Sequence, residues 1–403
     1  MTRLRALLAN EAGGGRGHVT TLRAAALALG PGITLISALA RDAYADELRV
    51  LCSISIKAPL LVRSRVDEER LGFRGCATWA DGLATLGLAN EAKLHLGLRF
   101  WRDLIVAEDI SLLIADHAPL ALWAARGLRD EGWAIRVVNL GIGYTVPPPH
   151  LPHFPGFVPD ITKTLHRESD TLALMNKIGA EHDLAPLPRL AALYEVDLSL
   201  ATTFPFLDPY ADTRDPASRF APLVPASDTL AGTGEGIFVY FSTAELTDPA
   251  LVNALCALPH PRRGYVPSAS VMVRDSLRAS GMELLNHPAT ADEIADFARL
   301  VVHAAPHGTV CMSALAGVAQ FGVPQHLEQL FNARHAAAQG ILHIGQPGDS
   351  NLGAQIAAAY ADTRLHARAQ EVAQTLRQTH PADPIKALSD RLAPEIAAAR
   401  AAR

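Results

Sequence analysis

Cysteine is scarce: the 403 residues hold four, Cys52, Cys76, Cys256 and Cys311, scattered and with no CxxC spacing. That excludes a disulfide framework and reads as reduced packing thiols of a cytoplasmic protein. Charged residues are only 19%, with a net charge of −5, so neither a disordered chain nor a nucleic-acid binder is indicated. No apolar run approaches the roughly 18 residues of a membrane span, although peripheral membrane contact stays open. Lysine is rare beside arginine while alanine is abundant, which reflects coding bias rather than function.

Half of the chain is apolar, and its length suits two domains of about 200 residues each. Leu4 to Ala9 reads as a buried first strand rather than a signal peptide. The loop Gly13-Gly14-Gly15-Arg16-Gly17-His18 follows, then a helix with Leu22, Ala25, Ala26 and Leu29 apolar. This order opens a doubly wound α/β domain. A dinucleotide fingerprint would place a third glycine where His18 stands, and the strand Ile33 to Leu39 has no acid at its end, Asp42 arriving late; a nicotinamide enzyme is the weaker reading.

A helix near Asp42 to Leu51, a strand near Ser53 to Lys57, a loop-rich excursion from Ala58 to Ala80 and one long helix from Asp81 to Ala107 are expected next. Leu112 to His117 is a strand that delivers Asp116 at its carboxyl end, where an acid is placed either for chemistry or to cap the helix after Pro119. A strand at Ile135 to Asn139 leads into the proline-rich loop Gly141 to Pro159, and Glu195 to Ala201 makes a last strand. Pro205 to Gly236 has linker composition. Ile237 to Phe241 opens a second domain, with Ser242 and Thr243 in its first loop.

The most informative stretch is Val301 to Gly340. A short apolar strand ends at His303, Ala304 to Gly308 is a kinked loop, Thr309 can open a helix, and Glu328-Gln329 with Asn332-Ala333 begin another. A helix start presents unpaired N–H groups and partial positive charge, which suits a diphosphate. His303, His307 and Cys311 have the spacing of metal ligands on one helix, but Pro306 argues against that helix and no fourth ligand is evident. An ordinary βαβ unit is the plain alternative.

In this stretch His303, Gly308-Thr309-Val310, Gly317-Val318, Gln320, Pro324, Glu328-Gln329 and Asn332-Ala333 fall in register with the donor-binding box of family 1 glycosyltransferases, the UDP-glycosyltransferase superfamily. The chain resembles that family, including its bacterial macrolide and antibiotic members. The resemblance implies a GT-B fold, two facing Rossmann-like domains with parallel sheets, with an acceptor-binding domain over 1–215, a nucleotide-sugar domain over 236–380, and a C-terminal helix, 381–403, returning to the first domain. It implies that His18, after Gly17, is the catalytic base and that Asp116 holds its imidazole. It further implies that Ser242, Thr243, His303, His307, Gly308, Thr309 and Val310 lie around the donor, and that Glu328 and Gln329 bind the transferred sugar.

The implied activity is inverting, metal-independent transfer of a sugar from a UDP- or dTDP-sugar to a hydroxyl of a small-molecule or lipid acceptor. The nucleotide sugar is a co-substrate, with no cofactor or metal, and the protein a monomer or homodimer. A sugar-nucleotide epimerase or hydrolase of the same fold, or a non-catalytic auxiliary subunit, are the alternatives; retention of both His18 and Asp116 speaks against the latter. The chain has no Asp-x-Asp triplet, the metal clamp of the other large glycosyltransferase class. Ala304, Ala305 and Pro306 stand where the family favours a second His or glycines, Ala319 replaces a Pro, and Glu328 an Asp. Met312 replaces a ribose-binding Glu, which favours acceptance of dTDP-sugars.

Overall fold

The computed structural model describes residues 3–13, 15–72, 75–226, 234–242 and 244–402. The chain forms two compact units, Met1–Leu223 with Ile385–Arg403, and Val224–Pro384. Among the described residues no helix is long and apolar enough to cross a membrane.

The first unit is built on a seven-stranded parallel sheet of β1 (Arg5–Asn10), β2 (Thr34–Leu39), β3 (Ile54–Lys57), β4 (Leu112–Ala115), β5 (Arg136–Gly141), β6 (Leu198–Thr202) and β7 (Arg219–Phe220), in the order 3-2-1-4-5-6-7. Its central strands are apolar on both faces, as a sheet covered by helices requires; all four residues of β4 are buried. The order reverses between β1 and β4, whose register pairs Ala9 with Ala115. A crevice therefore opens at the carboxyl ends of these two strands. The helix Pro384–Ala401 lays Leu388, Leu392 and Ala399, all fully buried, into the same core as Leu4, Leu22 and Leu35.

The second unit carries a six-stranded parallel sheet of β8 (Gly236–Tyr240), β9 (Arg262–Tyr265), β10 (Glu283–Leu284), β11 (Ala298–His303), β12 (Ala319–Gly322) and β13 (Leu342–Ile344), ordered 10-9-8-11-12-13. Its reversal lies between β8 and β11, which pair Tyr240 with His303. In both sheets the first strand of the unit borders the reversal.

Two expected elements differ. The single helix from Asp81 to Ala107 is broken: Trp79–Leu83 runs into a wide π turn at Ala84–Leu88, and Glu91–Ala107 restarts with Asn90 as its cap. Gly87 makes the break, with φ 144° and Lys93 Cδ only 2.7 Å from where a Cβ would lie. The polar, proline-rich stretch read as a linker from Pro205 is folded within the first unit as far as Leu223, and it contributes β7.

What folds that stretch is a buried ion pair. Arg214 and Asp208 have side-chain exposures of 1% and 0%, with Arg214 Nε donating to Asp208 Oδ2 at 2.6 Å. The same guanidinium donates to the carbonyls of Val146 and Gly143, at 2.6 and 2.7 Å, and so ties the Gly141 to Pro159 loop to the sheet. Breaking a buried pair leaves an uncompensated charge. Arg214→Ala is expected to cost the first unit about 3–5 kcal/mol, read as a lowered urea midpoint. An unmoved midpoint would mean that the pair does not organise the segment.

Candidate functional site

In the first unit, β1 runs into a glycine loop and the helix Arg16–Leu29 begins two residues before His18, so the imidazole rises from the first turn. Its Nδ1 lies 3.0 Å from Oδ2 of Asp116, with side-chain exposures of 19% and 2%. A carboxylate at Nδ1 fixes the tautomer that carries the proton there, leaving the lone pair on Nε2. Asp116 does not cap the helix Pro119–Asp130, whose cap position is Ala118 and whose Leu120 N–H bonds to Glu11 instead, so the capping reading is excluded. Nor does His18 cap its own helix, since the cap position is Gly15 and no side chain bonds there.

Two glycines make room for the pair. A Cβ on Gly13, which has φ +97°, would fall 2.1 Å from His18 Nε2, and one on Gly141 would fall 3.1 Å from Asp116 Oδ1. Asn10 donates through Nδ2 to the carbonyls of Asp116 and Ala12, both at 2.9 Å, fastening the two strand ends together. Sequence reasoning read Gly13 as part of a generic loop and passed over Asn10, Glu11 and Gly141.

It also missed His117. This residue has φ +52°, is 8% exposed, and neither ring nitrogen has a hydrogen-bond partner among the described residues. Its ring sits between those of His18, at 5.4 Å, and Trp79, at 4.9 Å, and Trp79 meets Tyr144 edge-on at 5.2 Å. Burial, and then the proximity of His18, hold the His117 imidazole well below its ordinary range, so it is neutral. A non-glycine residue in the left-handed region stores strain of about 1–3 kcal/mol, and such strain clusters at functional sites.

In the second unit, β11 ends at His303, the chain turns through Ala305 at φ +61°, and the helix His307–Ala316 begins after Pro306 rather than at Thr309. This helix start has no side-chain cap and no acid in its first turn. Gly308 is exposed, with open space where a Cβ would project, so the first N–H groups can approach an anion. Thr309 and His307 are buried at 5% and 6%, His307 Nε2 lying 3.7 Å from Cys311 Sγ.

His303, expected beside the diphosphate, has both ring nitrogens engaged within the protein. Its Nε2 donates to Gln320 Oε1 at 3.0 Å, and its Nδ1 accepts from the Ala305 N–H at 2.8 Å. The ring is fully buried, and burial pulls it down to about 4 against the Gln320 bond. His303 is therefore an uncharged brace for the strained turn, with Asn332 Nδ2 holding the Ala305 carbonyl at 3.2 Å from the other side. The Val310 side chain is fully buried and its N–H bonds to the Pro306 carbonyl, so it packs the helix.

Glu328 and Gln329 open the helix Leu327–Ala338, Glu328 half-buried in its first turn and Gln329 accepting from the Gln325 N–H at 2.8 Å. Ser242 follows β8, its carbonyl accepting from Ser268, while Thr243 lies outside the described residues. Met312 packs on an apolar cluster with Phe238, Val301 and Val318. Among the described residues no three His, Cys, Asp or Glu side chains gather to hold a metal ion.

No protein-family model matches the sequence, and no curated protein matches it. Solved structures do. The chain is similar to the calicheamicin glycosyltransferase CalG4, with a TM-score of 0.67 at 15% identity over 98% of this chain and 99% of that one. It is similar to the Streptomyces sp. SF2575 glycosyltransferase SsfS6 complexed with thymidine diphosphate, with a TM-score of 0.62 at 17% identity over 96% and 100%. The glycosyltransferase VinC in complex with dTDP gives 0.62 at 15% identity over 99% and 100%. The fold is that of the GT-B glycosyltransferases, with two parallel-sheet α/β units.

The neutrality of His303 has a measurable consequence. A buried histidine with a depressed folded value binds fewer protons than the unfolded chain between about pH 6.5 and 4. Its contribution is fully present above 6.5 and is lost as pH falls towards 4, by up to about 3 kcal/mol. The second unit is expected to melt at progressively lower temperature across that window, with a shallower slope in His303→Gln. Equal slopes would show that His303 is not held neutral.

Proposed function

We propose that the protein is an inverting, metal-independent glycosyltransferase that moves a sugar from a nucleoside-diphosphate sugar to a hydroxyl. The observation that carries this reading is the His18–Asp116 contact, 3.0 Å long, at the sheet reversal of the first unit. His18 Nε2 takes the proton of the acceptor hydroxyl as its oxygen attacks the anomeric carbon, and Asp116 stabilises the resulting imidazolium. The bond from the anomeric carbon to the phosphate oxygen breaks, and the nucleoside diphosphate leaves with its electron pair. An auxiliary, non-catalytic subunit would have no use for this pair.

The diphosphate is held by the N–H groups at the start of His307–Ala316 and by the helix dipole, Gly308 giving the close approach. With His303 uncharged, these backbone groups carry that work. Glu328 and Gln329 select the sugar, as their positions at a helix start near the Ala305 turn allow. Met312 is committed to an apolar cluster and offers no acceptor to a ribose, which supports use of a deoxyribose donor. Relatives in fold bind thymidine diphosphate, in keeping with this.

The test is turnover of a panel of dTDP- and UDP-sugars against hydroxylated small molecules and lipids, with EDTA present throughout. Transfer in EDTA, with dTDP competing for the donor site at least as well as UDP, is the expected outcome. A strict requirement for Mg²⁺ or Mn²⁺ would overturn the mechanism, and strong preference for UDP would overturn the donor assignment.

A further inference from the structure

We propose that Glu11 is a positioning residue for the His18–Asp116 pair, acting through the turn that carries Asp116. The inference rests on the reading of those two residues as catalytic. Glu11 follows β1 and is 1% exposed. Its backbone N–H donates to the His117 carbonyl at 3.2 Å, and its Oε2 accepts from the Leu120 N–H at 2.8 Å. Its Oε1 accepts from Trp101 Nε1 on the helix Glu91–Ala107. Residues 117 to 120 are thus gripped from a strand more than a hundred positions earlier.

The grip falls where the chain needs one. The helix Pro119–Asp130 has Ala118 at its cap position and no local side chain to bond its first N–H groups, so Glu11 serves as a cap from across the sheet. His117, one of the two gripped points, is in the left-handed region, and a strained residue persists only where its surroundings over-determine it. Asn10 holds the Asp116 carbonyl on the same strand end. Burial pushes the Glu11 carboxyl up to about 8, with the N–H groups of Leu120, Trp101 and Ala121 pulling against it. A carboxyl kept where burial opposes its charge points to a task that an apolar side chain could not perform. Tyr194 is the titratable neighbour of Glu11; Asp116 and His117 face His18, and Arg41 lines the small cavity beside it.

In its ionised form Glu11 accepts on both oxygens, whereas in the nearly isosteric Glu11→Gln the NH₂ must face either Trp101 Nε1–H or the Leu120 N–H, so the variant lacks the two-sided clamp of the carboxylate whichever way the amide turns. Loosening Asp116 removes an opposite charge from His18 and lowers its affinity for a proton. The experiment is an NMR pH titration of the His18 imidazole in the full chain, with rates measured alongside. The expected result is a His18 midpoint lower by at least about half a pH unit, kcat lower by about 10- to 100-fold, and donor affinity unchanged. A folded Glu11→Gln with a lowered melting temperature but wild-type His18 midpoint and kcat would overturn the proposal, leaving Glu11 a structural cap. Should Glu11→Gln not fold, Trp101→Phe removes one donor and keeps a ring in place; a smaller shift in the same direction supports the clamp, and an unmoved midpoint overturns it. If the wild-type protein transfers no sugar, the proposed function fails while the titration still decides the clamp.

Discussion

A single contact, His18 Nδ1 to Asp116 Oδ2, gives the first unit its chemical character, and it exists because two strands are neighbours. β1 and β4 are adjacent and parallel only at the point where the strand order reverses, so the residues that follow them project into one crevice. A carboxylate with 2% exposure needs a partner, and the imidazole needs a fixed tautomer to act as a base. Each residue answers the other's requirement. Gly13 and Gly141 are the spatial counterpart, since a side chain at Gly13 would fall on the imidazole and one at Gly141 would crowd Thr145 and the carboxylate.

The surrounding polar groups follow one pattern: a buried ionisable side chain braces a loop or turn. Arg214, paired with Asp208, holds the Gly143 and Val146 carbonyls; Glu11 holds the turn after Asp116; His303, uncharged, holds the turn before the helix His307–Ala316. None of the three is exposed enough for solvent to share its hydrogen bonds. Buried bonds of this kind contribute modestly when intact and cost a great deal when half-broken, which makes loops so braced rigid. Within each unit, loops braced in this way hold the groups they carry in fixed positions.

Much of this was legible in the sequence because it is written in local pattern. Fully apolar strands, glycine-bearing turns after them and amphipathic helices specify parallel α/β units, and Asp116 stands out as an acid at a strand end. What was illegible depends on burial and long-range pairing. Arg214 and Asp208 lie among prolines and polar residues, so they look like linker until their mutual contact is known. Glu11 looks like a surface acid, and only the fold shows that it reaches Leu120 and Trp101. The apolar stripe of 81–107 runs straight through the π turn, whose sole marker is Gly87. The uncharged state of His303 was hidden as well, because periodicity does not reveal that Gln320 and the Ala305 N–H occupy both its nitrogens.

The central claim is that His18 and Asp116 work as one base, and a double-mutant cycle on transfer rate and donor affinity tests it directly. A general base is worth about 10² to 10⁴ in rate. The account predicts that His18→Ala loses that much while binding donor normally, that Asp116→Asn is impaired in the same way, and that the double variant is little worse than His18→Ala alone. Losses that multiply, or a fall in donor affinity that keeps step with rate in His18→Ala, would contradict it and leave His18 a structural residue at a helix start.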